Sequence, residues 1–245
     1  MTQTVLFIHG ATVNPGLWAI ARERFSSRYQ CLAPTLPGHG RRSAEPFVFA
    51  RALETLREAV AGVESLYLVG ESLGGYLAMS LAAELGPRVR GLVVSGASSN
   101  FGGLAWIPWW AQKHLGHLLQ AVLGQSKFEQ LIDDKLERTV PARMHFALNA
   151  EGVRLAAFDE AVDELRNRNF LADVACIVAP ILFVNGSRDR RQCWQEARFA
   201  RTARTATTLR IPGAEHGVAL WHAERFADLA FDYIESHAAK RGIHA

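Results

Sequence analysis

Short, largely apolar runs punctuate the chain: Val5 to Ile8, Gln30 to Ala33, Leu66 to Val69, Gly91 to Ser95, Ile181 to Val184 and Thr208 to Ile211. Runs of this length without polar alternation predict strands buried on both faces. Between the second and third, Phe49, Leu53, Leu56, Val60 and Val63 fall on one helical stripe, and Phe226, Leu229, Ala230, Tyr233 and Ile234 repeat the pattern near the carboxyl end. Strands alternating with amphipathic helices predict an α/β fold, a mostly parallel sheet with helices on both faces. The stretch from about Ser98 to Leu171 breaks the alternation, with helical segments and no convincing strand. It predicts a helical cap, residues 98–171, inserted into a core built from residues 1–97 and 172–245.

Composition narrows the classes. A chain of 245 residues, 49% hydrophobic and 21% charged, suits one domain with a large core and excludes a disordered chain. The net charge of +3 comes from bases scattered among acids, which argues against nucleic acid as a partner. Cys31, Cys176 and Cys193 lie far apart with no C-x-x-C spacing, so neither a disulfide framework nor a metal site is expected, and each reads as a small buried hydrophobe. The first apolar run is too short for a signal peptide or a membrane span, so the expected location is the cytoplasm, without stable membrane insertion.

Directly after the third predicted strand comes Gly70-Glu71-Ser72-Leu73-Gly74, then Gly75 and a helix of small residues from Tyr76 to Leu85. G-x-S-x-G in a strand-turn-helix setting places a serine on a sharp turn that tolerates no bulk two residues to either side. Ser72 then stands above the sheet at a helix amino terminus, where backbone donors favour an anion. A phosphate-binding loop is the poorer reading, because no G-K-[ST] follows. Serine needs a base oriented by an acid. Asp189 lies in the loop after the fifth strand and His216 in the loop after the sixth, both at strand carboxyl ends, where open α/β sheets carry their sites.

These segments together resemble the α/β-hydrolase fold of serine hydrolases, small esterases in particular. Phe7-Ile8-His9-Gly10 resembles that family's H-G motif and Leu36-Pro37-Gly38-His39-Gly40 its following P-G-x-G turn. The resemblance implies catalysis by Ser72, Asp189 and His216, with the backbone N–H groups of Ala11 and Leu73 as the oxyanion hole and no metal or organic cofactor. It also implies a sheet lacking the family's first two strands, because the chain starts almost at the H-G strand. The expected activity is cleavage of a small or medium carboxylic ester through an acyl-enzyme. Thioester, lactone or carbon-carbon bond hydrolysis on the same triad, or ligand binding without catalysis, stand as alternatives.

Several residues have rival readings. Asp159 and Asp163 compete with Asp189 for the acid, while Glu71 and Glu215 read as solvated or supporting groups beside the active residues. His9 and His39 read as structural. The spacing of Asn14 and Trp18 after His9-Gly10 is similar to that in esterases acting on a pimeloyl-carrier ester. Phe101, Trp106, Trp109, Trp110 and Leu115 fit an apolar substrate pocket, ordinary cap core, or a helix touching lipid with Lys113 and His114 on the water side. Arg138, Arg143 and Arg154 suit a solvated helix face or an acidic carrier protein. The substrate is expected to be a small acyl compound.

Overall fold

A computed structural model describes residues 3–166 and 168–242. Its strands are β1 (Gln3–Ile8), β2 (Tyr29–Leu32), β3 (Leu66–Glu71), β4 (Val89–Ser95), β5 (Ile181–Gly186) and β6 (Ala206–Ile211). They form one sheet in the order β2-β1-β3-β4-β5-β6, and every pair is parallel. Each apolar run picked out above overlaps one of them. The helices are α1 (Ala19–Phe25), α2 (Phe49–Ala59), α3 (Leu73–Leu85), α4 (Ile107–Leu123), α5 (Gln125–Thr139), α6 (Ala142–Glu151), α7 (Ala157–Leu165), α8 (Phe170–Cys176), α9 (Arg190–Thr202), α10 (Val218–Trp221) and α11 (Ala223–Gly242).

Because successive strand side chains point to opposite faces, the sheet has two cores. Leu6, Ile8, Leu68 and Leu92 pack with α2, α3 and α8 on one side. Val5, Phe7, Val69 and Val93 pack with α1 and α11 on the other. Phe7, fully buried, meets Phe25 edge-on at 5.3 Å and Trp18 at 5.4 Å. Such a side chain contributes about 1.5–3 kcal/mol by leaving water. Trp18 thus belongs to the core.

Five helices, α4 to α8, and no strand among the described residues lie between β4 and β5. The expected boundary at Leu171 falls within α8, whose Phe170 and Val174 pack into the core beside α3. The segment is fastened to the loop after β1. Asn14, fully buried, donates through Nδ2 to the carbonyls of Leu148 (2.7 Å) and Gly152 (2.8 Å) at the end of α6. A Cβ on Gly16 would lie 2.4 Å from the backbone of Ala147, so only glycine lets that loop touch α6.

Candidate active site

The turn between β3 and α3 is held in a conformation that L-residues rarely adopt. Ser72 has φ 52° and ψ −115°, and its N–H bonds the carbonyl of Ser95 on β4 at 2.7 Å. Space explains the flanking glycines. A Cβ on Gly70 would stand 2.4 Å from the Gly74 carbonyl oxygen, and one on Gly74 would stand 2.0 Å from that of Ile8. The H-G loop lies beside the same turn but less tightly, since a Cβ on Gly10 would sit 3.3 Å from the Glu71 carbonyl oxygen and 3.5 Å from the Ser72 Cβ.

The three expected side chains meet above the carboxyl edge of the sheet. His216 Nε2 lies 2.9 Å from Ser72 Oγ, and its Nδ1 lies 2.6 Å from Asp189 Oδ2. Asp189 also caps α9, its Oδ1 accepting from the Gln192 N–H at 3.3 Å, so the carboxylate sits at the positive end of a helix. Burial alone would raise the Asp189 carboxyl. The hydrogen bond and charge of His216 outweigh it and hold Asp189 below its usual range. Burial likewise opposes the charged form of His216, yet bonding to Asp189 and the charges of Asp189 and Glu71 raise the imidazole above its usual value. The two loops are mutually fixed: a Cβ on Gly186 would strike the Glu215 carbonyl at 2.3 Å, and the Arg188 N–H donates to the Ala214 carbonyl.

The other candidates separate by their partners. Asp159 accepts from or pairs with His117 at 2.5 Å and Asp163 with Lys113 at 2.7 Å, and neither bonds His216. His9 is buried, its Nδ1–H donating to the Gly10 carbonyl and its Nε2 accepting from the Leu36 N–H; burial first, then His39, lowers its pKa to about 3. His39 donates to the Pro37 carbonyl. Glu215 is exposed, but Glu71 is not the solvated group that its place in the sequence suggests. It is 3% exposed, its Oε2 accepts from the Ala219 N–H at 3.1 Å, and its Oε1 has no hydrogen-bond partner. Gly96, at φ +60°, leaves that oxygen room: a Cβ there would lie 2.9 Å from Glu71 Oε1 and 3.0 Å from His216 Cε1. Burial raises the Glu71 carboxyl.

Ser72 and His216 open into a cavity of about 710 Å³, into which Gly10, Ala11 and Glu71 also face. Its apolar wall is Val13, Leu17, Phe128, Phe158, Leu220 and Trp221, and its polar wall comes from Gln112, Lys113, His117 and Gln120 of α4 with Arg154. Phe101, Trp106, Trp109, Trp110 and Leu115 are absent from that lining. Phe101 and Trp109 are buried, and Trp109 meets the His216 ring edge-on at 5.9 Å while the Arg191 guanidinium lies 4.3 Å from the Trp109 ring centre. Lys113 faces the cavity instead of standing on a water side. Trp221 escaped the sequence reading because a short turn after His216 carries no periodicity, and of the two readings of Glu71 the structure favours the supporting one, since it is buried beside Gly96.

The cysteine expectation needs correction. Cys176 is exposed at the end of α8, and Cys31 and Cys193 are half-buried, Cys31 because β2 is the edge strand. Arg154 is committed to Glu160 at 2.6 Å. Among the described residues no group of three or more His, Cys, Asp or Glu side chains is placed to hold a metal, and no helix is long and apolar enough to cross a membrane.

Residues 5–229 match the alpha/beta hydrolase family. The pimeloyl-[acyl-carrier protein] methyl ester esterase of Yersinia enterocolitica is 24% identical over 94% of this chain and 93% of its own length. The 2-succinyl-6-hydroxy-2,4-cyclohexadiene-1-carboxylate synthase of Shigella sonnei is 28% identical over 76% of this chain and 78% of its own. A shorter match, 32% identical to the (lyso)-N-acylphosphatidylethanolamine lipase of Bos taurus, covers 37% of this chain and spans only 29% of that lipase. A hydrolase from Pseudomonas aeruginosa shares the fold with a TM-score of 0.75 at 20% identity, over 95% of this chain and 90% of the other. The family match runs from the first strand into the last helix, and the chain belongs to the alpha/beta hydrolase family as an enzyme whose relatives include esterases.

Proposed function

We propose that the chain is a serine hydrolase that cleaves a small or medium carboxylic ester through an acyl-enzyme on Ser72. The observation that carries this reading is the unbroken run of hydrogen bonds from Ser72 Oγ through both ring nitrogens of His216 to Asp189. Ser72 Oγ attacks the ester carbonyl carbon as His216 Nε2 takes its proton. Collapse of the tetrahedral intermediate breaks the bond to the alkoxy oxygen, which leaves with that proton. Water then adds to the acyl carbonyl, giving a proton to His216, and the proton returns to Ser72 Oγ as the acid departs. Asp189 fixes the Nδ1–H tautomer and steadies the imidazolium. The Leu73 N–H, first in α3, has no carbonyl one turn earlier to bond, and with the Ala11 N–H it serves as the oxyanion donor pair. Each such donor stabilises the transition state by about 3 kcal/mol.

A cavity of about 710 Å³ suits a small or medium acyl group against Val13, Leu17, Phe158 and Leu220. The test is turnover of p-nitrophenyl esters from acetate to dodecanoate by wild type and Ser72→Ala. Activity that peaks at short or medium chains and vanishes in the variant supports the reading, and equal activity in both ends it. Similarity to a synthase favours, as a second reading, a non-ester reaction on the same side chains. Lactone and thioester panels run alongside separate the two, and absence of both turnover and fluorophosphonate labelling points to a binding protein.

A further inference from the structure

A surface helix ordinarily turns its apolar stripe inward and its polar face to water. Helix α4 does the reverse. Gln112, Lys113, Gly116, His117 and Gln120 line the cavity above Ser72, while Leu115, Leu118, Leu119 and Val122, spaced i, i+3, i+4 and i+7, point away into solvent. Leu118 and Val122 are 60% and 73% exposed, Ile107 extends the stripe, and Leu104, in the turn before the helix, is 80% exposed. Of the seventeen residues of α4 only Trp109 is buried.

Leu104 also forms part of the wall of a second depression, of about 820 Å³, together with Arg166, Arg168, Arg198 and the exposed Trp194. No carboxylate lines it among the described residues. Arg168 lies 3.7 Å from Glu164 and stacks on Phe49, and Arg166 stacks on Trp106. Among the described residues neither Arg166 nor Arg198 is in an ion pair. The chain from Leu85 to Phe128 contains no Asp or Glu. An uncovered apolar stripe therefore shares an edge with a cationic hollow, and no fixed negative charge lies along the stripe.

We propose that this face docks on an anionic phospholipid bilayer, with Leu104, Ile107, Leu118 and Val122 in the acyl-headgroup boundary and Arg166 and Arg198 against lipid phosphates. The layout is that of an interfacial helix, whose binding adds buried apolar area to attraction for anionic headgroups. A second copy of the chain fits poorly, because pairing this face with itself sets the same arginines together with no acid on the stripe to offset them. The proposal is independent of the reaction at Ser72.

The test is co-sedimentation of the full chain with phosphatidylcholine vesicles, with and without about one third phosphatidylglycerol. Binding is expected to be about tenfold tighter on the anionic vesicles and to weaken with added salt. Leu118→Glu and Val122→Glu are expected to lower it about tenfold each, and Arg198→Glu, outside the helix, to lower it about fivefold. Far-ultraviolet circular dichroism checks that each variant keeps its fold. Absence of vesicle binding overturns the proposal, as does binding that ignores all three substitutions. Inorganic phosphate binding without vesicle binding, or self-association abolished by Leu118→Glu, likewise overturns it in favour of a free anion or a second copy.

Discussion

The carboxyl edge of the sheet and the helix that roofs the cavity contribute to the same site under opposite constraints. Around Ser72 the backbone is packed so closely that hydrogen atoms alone fit at Gly70 and Gly74. In α4 sixteen of seventeen residues keep contact with water or with the cavity. At the sheet edge, geometry is over-determined and supports a strained serine. In α4 the position is set by one buried tryptophan and by side-chain bonds of Gln112, Lys113 and His117 to neighbouring segments. Under the proposed function the chemistry is carried by the edge, and selection of what reaches it by the roof.

Substitutions at the edge should be catastrophic and those in the roof graded. Ser72→Ala is expected to lower kcat by about 10⁵ to 10⁶ with folding intact; a loss under a hundredfold, read by active-site titration and steady-state kinetics, would place the nucleophile elsewhere. Asp189→Asn should cost about 10⁴, because the amide favours the wrong imidazole tautomer. Gly74→Ala is expected to destabilise by about 3 kcal/mol, since its Cβ meets backbone and not a side chain that can turn away, and urea denaturation reads this directly. In the roof, Trp109→Leu removes the ring against His216 and should lower kcat about tenfold, whereas Trp110→Leu should leave it within about twofold. Equal effects of the two would erase the distinction between them.

The smallest expected change is in pH dependence. In the proposed mechanism His216 must be neutral to accept the serine proton, and Asp189 and Glu71 make it hold its own proton more tightly although burial opposes them. The acid limb of kcat/KM therefore has its midpoint above 6.5, with activity lost as pH falls through it. Glu71→Gln keeps an acceptor for the Ala219 N–H and removes a negative charge, so the limb should move to lower pH. An unmoved profile would show that Glu71 carries no charge when the base titrates.

Legibility in the sequence follows the same divide. The six strands were readable because parallel strands covered on both sides leave continuous apolar runs, as at Val5 to Ile8 and Ile181 to Val184. The meeting of Ser72, Asp189 and His216 was readable because each follows a strand and the elbow demands glycine. Glu71 was readable only as solvated or supporting, since the choice between them depends on the missing Cβ of Gly96, twenty-five positions away. The cavity wall was not readable. A count of aromatics pointed to Trp106 and Trp110, whereas helix rotation turned Gln112 and Gln120 inward and the wall drew on Leu17 and Trp221 from distant segments. Helical periodicity tells which residues share a stripe, not whether that stripe faces core or solvent.

The bonds from Asn14 to the end of α6 give the segment between β4 and β5 unequal ends. Opening of α6 requires breaking a buried amide's two hydrogen bonds and separating backbone from Gly16, so it is expected to accompany loss of the loop after β1 and the sheet that carries it. Opening of α4 exposes one tryptophan. In deuterium exchange the amides of α6 should therefore exchange about as slowly as those of β3, in one global event, while those of α4 exchange through small local openings orders of magnitude faster. On that expectation the segment keeps two clocks over the cavity of Ser72, and the faster one sets how often its α4 wall is renewed.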